Sequence, residues 1–178
     1  MNSDLELALK MATIADQLAM SRYRSLDLNI ETKPDFTPVT EADRAVETAL
    51  REVLATERPS DGVIGEEFPN TNETATRTWI IDPIDSTKNY VRGVPVWGTL
   101  IALAVDGNPQ VGVVSAPAMG RRWWASPEDG AFTQDVDGSV RSISVSAVRD
   151  LADASFSFSD SVGWEALGSD ALTRITSS

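Results

Sequence analysis

Apolar and polar positions at the start of the chain repeat with the period of a helix. Residues 5–19 place their apolar side chains on one face. Residues 40–59 repeat this pattern with charged side chains opposite. We expect Thr40 to cap the second helix and Pro59 to end it. The two prolines within residues 33–39 are expected to break regular structure. The pattern therefore predicts two amphipathic helices.

From residue 62 the pattern changes to that of strands. Predicted strands cover residues 62–65, 78–82, 97–107, 109–117, 121–126 and 130–135. Turn pairs such as Asp106-Gly107 and Asp129-Gly130 separate some of them. Short links favour an antiparallel sheet, because parallel strands need a crossover. Two helices followed by a run of strands predict an α+β fold.

The end of the chain is expected to begin a second unit. Residues 142–148 and 154–160 have strand patterns, and residues 163–178 begin like a helix. We therefore predict an α+β domain at residues 1–147 that carries a metal site. Residues 148–178 would be the beginning of a truncated α/β domain.

Composition narrows the possible chemistry. The formal net charge is −12, from 27 acidic and 15 basic residues, which disfavours nucleic acids and anionic membranes as partners. The sequence has no cysteine and no histidine, so catalysis must use carboxylates, hydroxyls, Lys, Arg or a metal bound through oxygen. It also has no apolar run of membrane length and no signal-peptide pattern. We expect a cytoplasmic protein.

The stretch WIIDPIDSTKNY, residues 79–90, contains candidate oxygen ligands for a metal ion. Asp82 and Asp85 follow an apolar run, and Pro83 is expected to stop the strand from continuing as a central one. Two carboxylates and the Ile84 carbonyl are oxygen ligands that suit Mg²⁺. A helix or turn starting at residues 85–87 would offer a hydroxyl and free amides to a phosphate. Glu66 and Glu67 end an earlier strand and add a second carboxylate pair.

Each of these residues also has a structural interpretation. Asp82 and Asp85 fit an Asx-type turn with a helix cap, and Thr87 fits a cap as well. Asp43 fits a capping box with Thr40 as well as metal support. A charged side chain exposed to water at the surface is the structural interpretation of Glu67, Lys88 and Arg92. The Trp123-Trp124 pair is expected to pack on the sheet and at a subunit contact.

Four segments together resemble a known family. PVTEAD, IGEEF, WIIDPIDST and KNYVRGVPVWGTLIAL resemble the inositol monophosphatase family of Mg²⁺-dependent, lithium-sensitive phosphatases. KNYVRGVPVW and SAPAMGRRWWAS look most like its actinobacterial histidinol-phosphate phosphatases. The resemblance implies a layered α/β/α/β/α sugar-phosphatase-like fold. Here that fold would comprise a helix pair on an antiparallel sheet and only the start of the second half.

The resemblance also implies a role for each site residue. The metal ligands would be Glu66, Asp82, the Ile84 carbonyl and Asp85, holding two or three Mg²⁺ ions in complete members. Glu67 and Asp43 would lie in the outer part of the site, near the weakest metal. Thr87 would act with Glu66 to orient and deprotonate a water. Phosphate binding would fall to residues 85–87, where the amides of Ser86 and Thr87 face the phosphate.

The sequence departs from the family pattern in two places. Ser86 stands where most members have glycine, which concerns substrate more than chemistry. The later WD motif, whose aspartate completes the second metal site, is missing. WEALG, residues 164–168, is similar to it only superficially and is interpreted as the first turn of a helix.

The resemblance implies three functions that remain open. The first is hydrolysis of histidinol phosphate by a Mg²⁺-dependent phosphomonoesterase, and the second is hydrolysis of inositol phosphates. The third is a catalytically impaired chain that binds metal and self-associates, since an unpaired edge strand at residues 154–159 favours association. We expect a small phosphorylated metabolite as the partner of the enzyme and a homodimer as the assembly.

Overall fold

A computed structural model describes residues 2–34, 36–155 and 157. The helices are α1 (Ser3–Arg22), α2 (Glu41–Glu57) and α3 (Thr87–Val91). The strands are β1 (Ile30–Thr32), β2 (Pro38–Thr40), β3 (Gly62–Ile64), β4 (Arg77–Asp85), β5 (Gly98–Val105), β6 (Asn108–Ala116), β7 (Arg121–Ser126), β8 (Gly130–Gln134) and β9 (Val140–Ile143). The chain divides into two compact units, Met1–Ile143 and Ser144–Ser178. The described part of the second contains a short 3₁₀ turn, Leu151–Asp153.

Both predicted helices are confirmed, and their ends have local causes. The side chain of Asn2 accepts a hydrogen bond from the Asp4 amide, which starts α1 two residues before the predicted range. Thr40 caps α2 as expected. The last residue before Pro59 is the C-cap of α2, so the proline ends this helix as expected.

The large sheet is antiparallel except at one edge. Its strand order is β3-β4-β5-β6-β7-β8-β9, and every pair from β4 onward is antiparallel. β3 pairs with β4 in parallel, so the antiparallel prediction is wrong for this pair. The connection at residues 65–76 is long enough to reverse direction twice, since Thr71 first bridges Val63 in antiparallel sense.

Pro83 does not end β4, but, as expected, it stops the strand from continuing as a central one. The strand continues to Asp85, with a register shift between Asp82 and Asp85. β3 pairs with β4 only as far as Ile80, so beyond that point β5 is the one neighbour of β4 among the strands of the described residues. Proline is tolerated there because the register shift between Asp82 and Asp85 leaves it out of the regular ladder with β5. This end of β4 is thereby left open on one side.

A small hairpin occupies the segment where no regular structure was expected. β1 and β2 form a separate two-stranded sheet in which Thr32 pairs with Pro38. Pro38 is the first residue of β2, a position that tolerates proline. The prolines therefore delimit the hairpin loop and do not exclude strands.

The core lies between the helices and one face of the large sheet. α1 packs on β5 and β6, and α2 packs on β4. The buried side of α1 is formed largely by small residues, with Ala8, Ala12 and Ala15 fully buried. Small side chains let α1 lie close to large sheet residues such as Leu103 and Val113. Burial of this apolar surface is the main stabilising contribution.

The other face of the sheet is also apolar. It forms a groove of about 540 Å³ whose lining includes Ile80, Leu100, Val114 and Trp123, with Asp82 at one end. Trp123 lies on this face beneath the Arg121 guanidinium, 5.1 Å from the ring centroid. Trp124 points to the helical side and stacks on Phe132 at 6.0 Å. Both tryptophans thus pack on the sheet, on opposite faces.

Some of the predicted features lie on residues that the structure does not describe. The helix at residues 163–178 and the WEALG segment lie outside the described residues, as does most of the strand predicted at 154–160. Within the described ranges, none of the helices combines the length and apolar character that a membrane span requires.

A buried carboxylate beneath the sheet edge supports the fold. The Asp61 side chain is 4% exposed and accepts hydrogen bonds from Arg77 Nε at 3.2 Å and Trp79 Nε1 at 2.9 Å. In Asp61→Asn the amide group faces a donor, so we expect unfolding to become easier by about 1–3 kcal/mol. Urea unfolding followed by tryptophan fluorescence measures this. Glu73→Gln removes an exposed charge and is the control; equal midpoints in the two variants would contradict the prediction.

Candidate active site

The predicted site residues come from four elements. Glu66 and Glu67 follow β3, and Asp82 to Asp85 end β4. Asp43 lies in the first turn of α2, and Thr87 begins α3. The carboxylates of Glu66, Asp85 and Asp43 all contribute to the electrostatic environment of Asp82. The structure therefore brings these acidic side chains together around Asp82.

Asp82 lies at the centre of this acidic cluster. Desolvation, reinforced by the negative charges of Glu66 and Asp85, raises the pKa of Asp82 to about 7. Its Oδ1 atom is buried and has no hydrogen-bond partner among the described residues. A buried carboxylate oxygen without a partner costs free energy. Asp82 thus lacks a positive partner within the described part of the chain.

Asp43 combines two functions, one with each carboxylate oxygen. Oδ2 accepts hydrogen bonds from the Thr40 amide at 2.9 Å and the Thr40 hydroxyl at 2.6 Å, so the capping box is confirmed. Oδ1 lies 3.4 Å from the Thr87 hydroxyl. Burial raises the pKa of Asp43, although the hydrogen bonds from Thr40 oppose the rise. The capping role therefore leaves one oxygen directed towards the site.

The start of α3 depends on an unusual backbone conformation. Ser86 has φ 66° and ψ 47°, in the left-handed region that favours glycine. Its hydroxyl donates to Asp85 Oδ2 at 3.4 Å. The Thr87 hydroxyl has two acceptors within reach, the Ile84 carbonyl at 3.1 Å and Asp43. These contacts hold residues 84–87 in a tight turn, while joint action of Thr87 and Glu66 stays a prediction.

Lys33 is a site residue that the sequence patterns did not reveal. Its Nζ lies 2.7 Å from Glu66 Oε1 and 2.7 Å from Glu67 Oε1. Burial opposes the charged form of Lys33, but hydrogen bonds with both glutamates outweigh it and raise the pKa of Lys33. No motif indicates this contact, because Lys33 follows β1 and is far from both glutamates in sequence.

Glu67 is not a solvated surface charge, so that alternative is wrong. Its side chain is 4% exposed. Burial raises the pKa of Glu67 even though the Lys33 ammonium favours its charged form. Lys88 and Arg92, by contrast, are exposed as expected.

The site residues fit a hard cation, although they are not arranged around one. Among the described residues no three ligand-type side chains stand at metal-binding positions. Lys33 supplies positive charge to Glu66 and Glu67, whereas Asp82 Oδ1 has no partner in this part of the chain. Carboxylate and carbonyl oxygens are the donors that Mg²⁺ and Ca²⁺ prefer. The set therefore matches an oxygen-bound divalent cation in chemistry.

Fold and site together define the class of protein. It is an α+β protein in which a helix pair packs on a mixed sheet and carboxylates gather where β3 and β4 end. The inositol monophosphatase family matches residues 1–165. The chain therefore belongs to this family, as the four sequence segments predicted.

Individual relatives support this assignment. The chain is 57% identical over 164 residues to a histidinol-phosphatase of Mycobacterium tuberculosis, covering 92% of this chain and 63% of that protein. The chain thus spans less than two thirds of the relative's length. Its structure is similar to that of the suppressor protein SuhB of Bartonella henselae, with a TM-score of 0.76 and 28% identity, covering 84% of this chain and 57% of that one.

A further solved relative binds a divalent cation. It is an IMPase/NADP phosphatase complexed with NADP and Ca²⁺, similar to this chain with a TM-score of 0.64 and 27% identity. The similarity covers 72% of this chain and 49% of that one. Both the α+β fold and the family are therefore confirmed.

The raised pKa of Asp82 predicts a specific pH dependence in metal-free protein. Because the folded-state pKa is raised, Asp82 contributes stability below its unfolded pKa, and this contribution is lost as pH rises through about 7. Asp82→Asn stays neutral throughout. The free energy of unfolding of Asp82→Asn minus that of the parent should therefore be larger at about pH 8 than at about pH 5. Urea unfolding in chelator at both pH values measures this, and an equal difference at both would contradict it.

Proposed function

We propose that this chain carries the metal- and phosphate-binding part of a Mg²⁺-dependent phosphomonoesterase. The observation that supports this most directly is the buried Oδ1 of Asp82, which has no partner among the described residues and lies within a group of carboxylates. Such a group is unfavourable by itself and becomes favourable around divalent cations. The family to which the chain belongs supports the same activity.

The proposed ligands are the residues that the sequence predicted. Glu66, Asp82, the Ile84 carbonyl and Asp85 would hold Mg²⁺, with Glu67 and Asp43 in the outer part of the site. Bound Mg²⁺ supplies charge neutralisation and polarises phosphate oxygens. Two or three ions would be bound in complete family members. Mg²⁺ bound at Glu66 would compete with the Lys33 ammonium, which contacts Glu66 Oε1.

The protein's own groups would then orient the reactants. Glu66 would take the proton of the attacking water, whose oxygen forms the new bond to phosphorus. The ester P–O bond would break, and the leaving alkoxide would take a proton from solvent water to become the alcohol. Thr87 would orient that water, and Asp43 Oδ1 is within reach to orient the Thr87 hydroxyl. The amides of Ser86 and Thr87, with Asp85 beside them, would hold the phosphate oxygens. Thr87 is suited to this because the first helical residue has no intrahelical acceptor for its amide.

The proposed substrate is histidinol phosphate. The similarity to a histidinol-phosphatase supports this choice. Inositol 1-phosphate is the alternative, because the family is named for inositol monophosphate hydrolysis. A homodimer and a cytoplasmic location belong to the same proposal; the apolar outer face of the sheet supports the former.

Metal binding is the first property to test. Mg²⁺ or Mn²⁺ should raise the melting temperature, because a ligand bound only by the folded chain stabilises it. Asp82→Asn should abolish the rise, whereas Asp61→Asn should retain it, since Asp61 contacts Arg77 and Trp79 and lies outside the site. Calorimetry with and without metal measures both. An undiminished rise in Asp82→Asn would remove Asp82 from the site.

Phosphate release tests the activity itself. We expect the 178-residue chain to release phosphate from histidinol phosphate only with Mg²⁺, and Asp82→Asn to lose this activity. The rate should be well below that of the full-length M. tuberculosis relative, because this chain spans only 63% of that length. Inositol 1-phosphate is the comparison substrate. Release that persists in chelator would contradict the metal requirement, and equal release from both substrates by a completed chain would contradict the substrate assignment.

A further inference from the structure

We propose that Glu47 is a positioning residue that holds the Glu66–Glu67 turn in place for cation binding. This inference rests on the proposed metal site, but Glu47 itself is not proposed as a ligand. It lies in the middle of α2 and its side chain has 0% exposure. A buried carboxylate requires compensation for its lost hydration.

Glu47 obtains this compensation largely from the proposed ligand turn. Its Oε2 atom accepts hydrogen bonds from the Glu66 amide at 3.0 Å and the Glu67 amide at 2.7 Å. Its Oε1 atom accepts from Arg51 Nε at 2.8 Å. Arg51 in turn donates to the Phe68 carbonyl at 3.2 Å. A carboxylate and a guanidinium of α2 therefore hold three consecutive residues after β3.

Packing of α2 does not by itself require this charge. Apolar residues of the same helix, Val46, Leu50 and Leu54, are fully or almost fully buried and attach α2 to the core. An apolar side chain at position 47 would avoid the desolvation cost but would leave two backbone N–H groups without an acceptor. The carboxylate is thus specific to the turn that it binds.

Gly65 shows how closely the turn approaches the carboxylate. A Cβ atom at this position would lie 1.9 Å from Glu47 Oε1 and 2.8 Å from an Arg51 nitrogen. Glycine is needed here because of this close approach and not because of its backbone angles. The turn backbone and the Glu47 side chain therefore fit only in one relative position.

The spacing along α2 connects the two sides of the site. Asp43 and Glu47 are four residues apart, so they lie on the same helical face, about 6 Å apart along the axis. Asp43 reaches the Thr87 hydroxyl, and Glu47 reaches the Glu66 amide. One rigid helix thereby sets the position of the turn after β3 relative to the start of α3.

Anchoring matters because Glu66 is only loosely held by its side chain. That side chain is 42% exposed, and it contacts the ammonium group at the end of a long, flexible lysine, Lys33. The backbone contact to Glu47 therefore fixes the position of the Glu66 main chain, from which the carboxylate extends. Groups that orient metal ligands commonly affect affinity nearly as strongly as the ligands do.

Two variants separate position from charge. Glu47→Asp keeps the charge but is one methylene shorter, so it withdraws from the two amides. The double variant Glu47→Gln with Arg51→Gln loses both charges but keeps the length and a carbonyl for the amides. It also replaces the ion pair by an amide pair, since the side-chain NH₂ group introduced at position 47 can donate to the carbonyl of the new side chain at position 51. Asp61→Asn is the matched control, because it alters another buried carboxylate that is paired with an arginine.

The readouts are Mn²⁺ affinity, from the electron paramagnetic resonance of free Mn²⁺, and hydrogen exchange of the Glu66 and Glu67 amides in chelator. We expect Glu47→Asp to bind Mn²⁺ about tenfold more weakly or worse, and to exchange both amides faster. The double variant should stay close to the parent in both readouts. Asp61→Asn should lose stability without losing Mn²⁺ affinity.

The outcomes distinguish this inference from the proposed function. Parent-like Mn²⁺ affinity or parent-like amide exchange in Glu47→Asp would overturn the positioning role. A double variant as weak as Glu47→Asp would also overturn it, because charge and not position would then be the cause. A parent chain that binds no Mn²⁺ would instead overturn the proposed metal site, and the amide exchange would still report whether Glu47 anchors the turn.

Discussion

Mutual repulsion among carboxylates in a partly desolvated place is the constraint on which this site depends. Each negative charge around Asp82 raises the cost of the others, and water that would screen them is partly excluded. The structure meets the cost differently at each residue. Asp43 accepts hydrogen bonds from Thr40, and Lys33 pairs with Glu66 and Glu67. At Asp82 the cost is met by binding either a proton or a cation.

The fold supplies the rigidity that such an arrangement needs. The strands that end at the site are held by a core of large sheet residues packed against α1 and α2. α2 contributes more than apolar contacts, since Asp43 and Glu47 carry its buried charges to two separate parts of the site. The geometry of the helix thereby fixes the distance between the groups that are proposed to bind the cation and the substrate.

Most of the helices and strands that were predicted correctly have a pattern within their own residues that indicates them. The 3.6-residue period identified α1 and α2, and the Thr40 capping box placed the start of α2 correctly. Alternating apolar residues and turn pairs identified β5 to β8. The errors arose where a neighbouring segment decided the outcome. β3 runs parallel to β4 because residues 65–76 reverse direction twice, and Pro38 is tolerated because β2 forms the edge of a small hairpin.

The sequence by itself determined which ligand atoms this part of the chain offers: acidic residues at predicted strand ends, with no histidine or cysteine, supply carboxylate oxygens. The tertiary structure decided which charges are buried and what compensates them. Lys33 meets Glu66 and Glu67 from 33 and 34 residues away, and Glu47 meets their amides from 19 and 20 residues away. Such contacts leave no periodic or motif signal, because they depend on how β1, α2 and the turn after β3 pack and not on spacing within any one of them. Desolvation likewise belongs to the packed structure, since a carboxylate in the extended chain keeps its water.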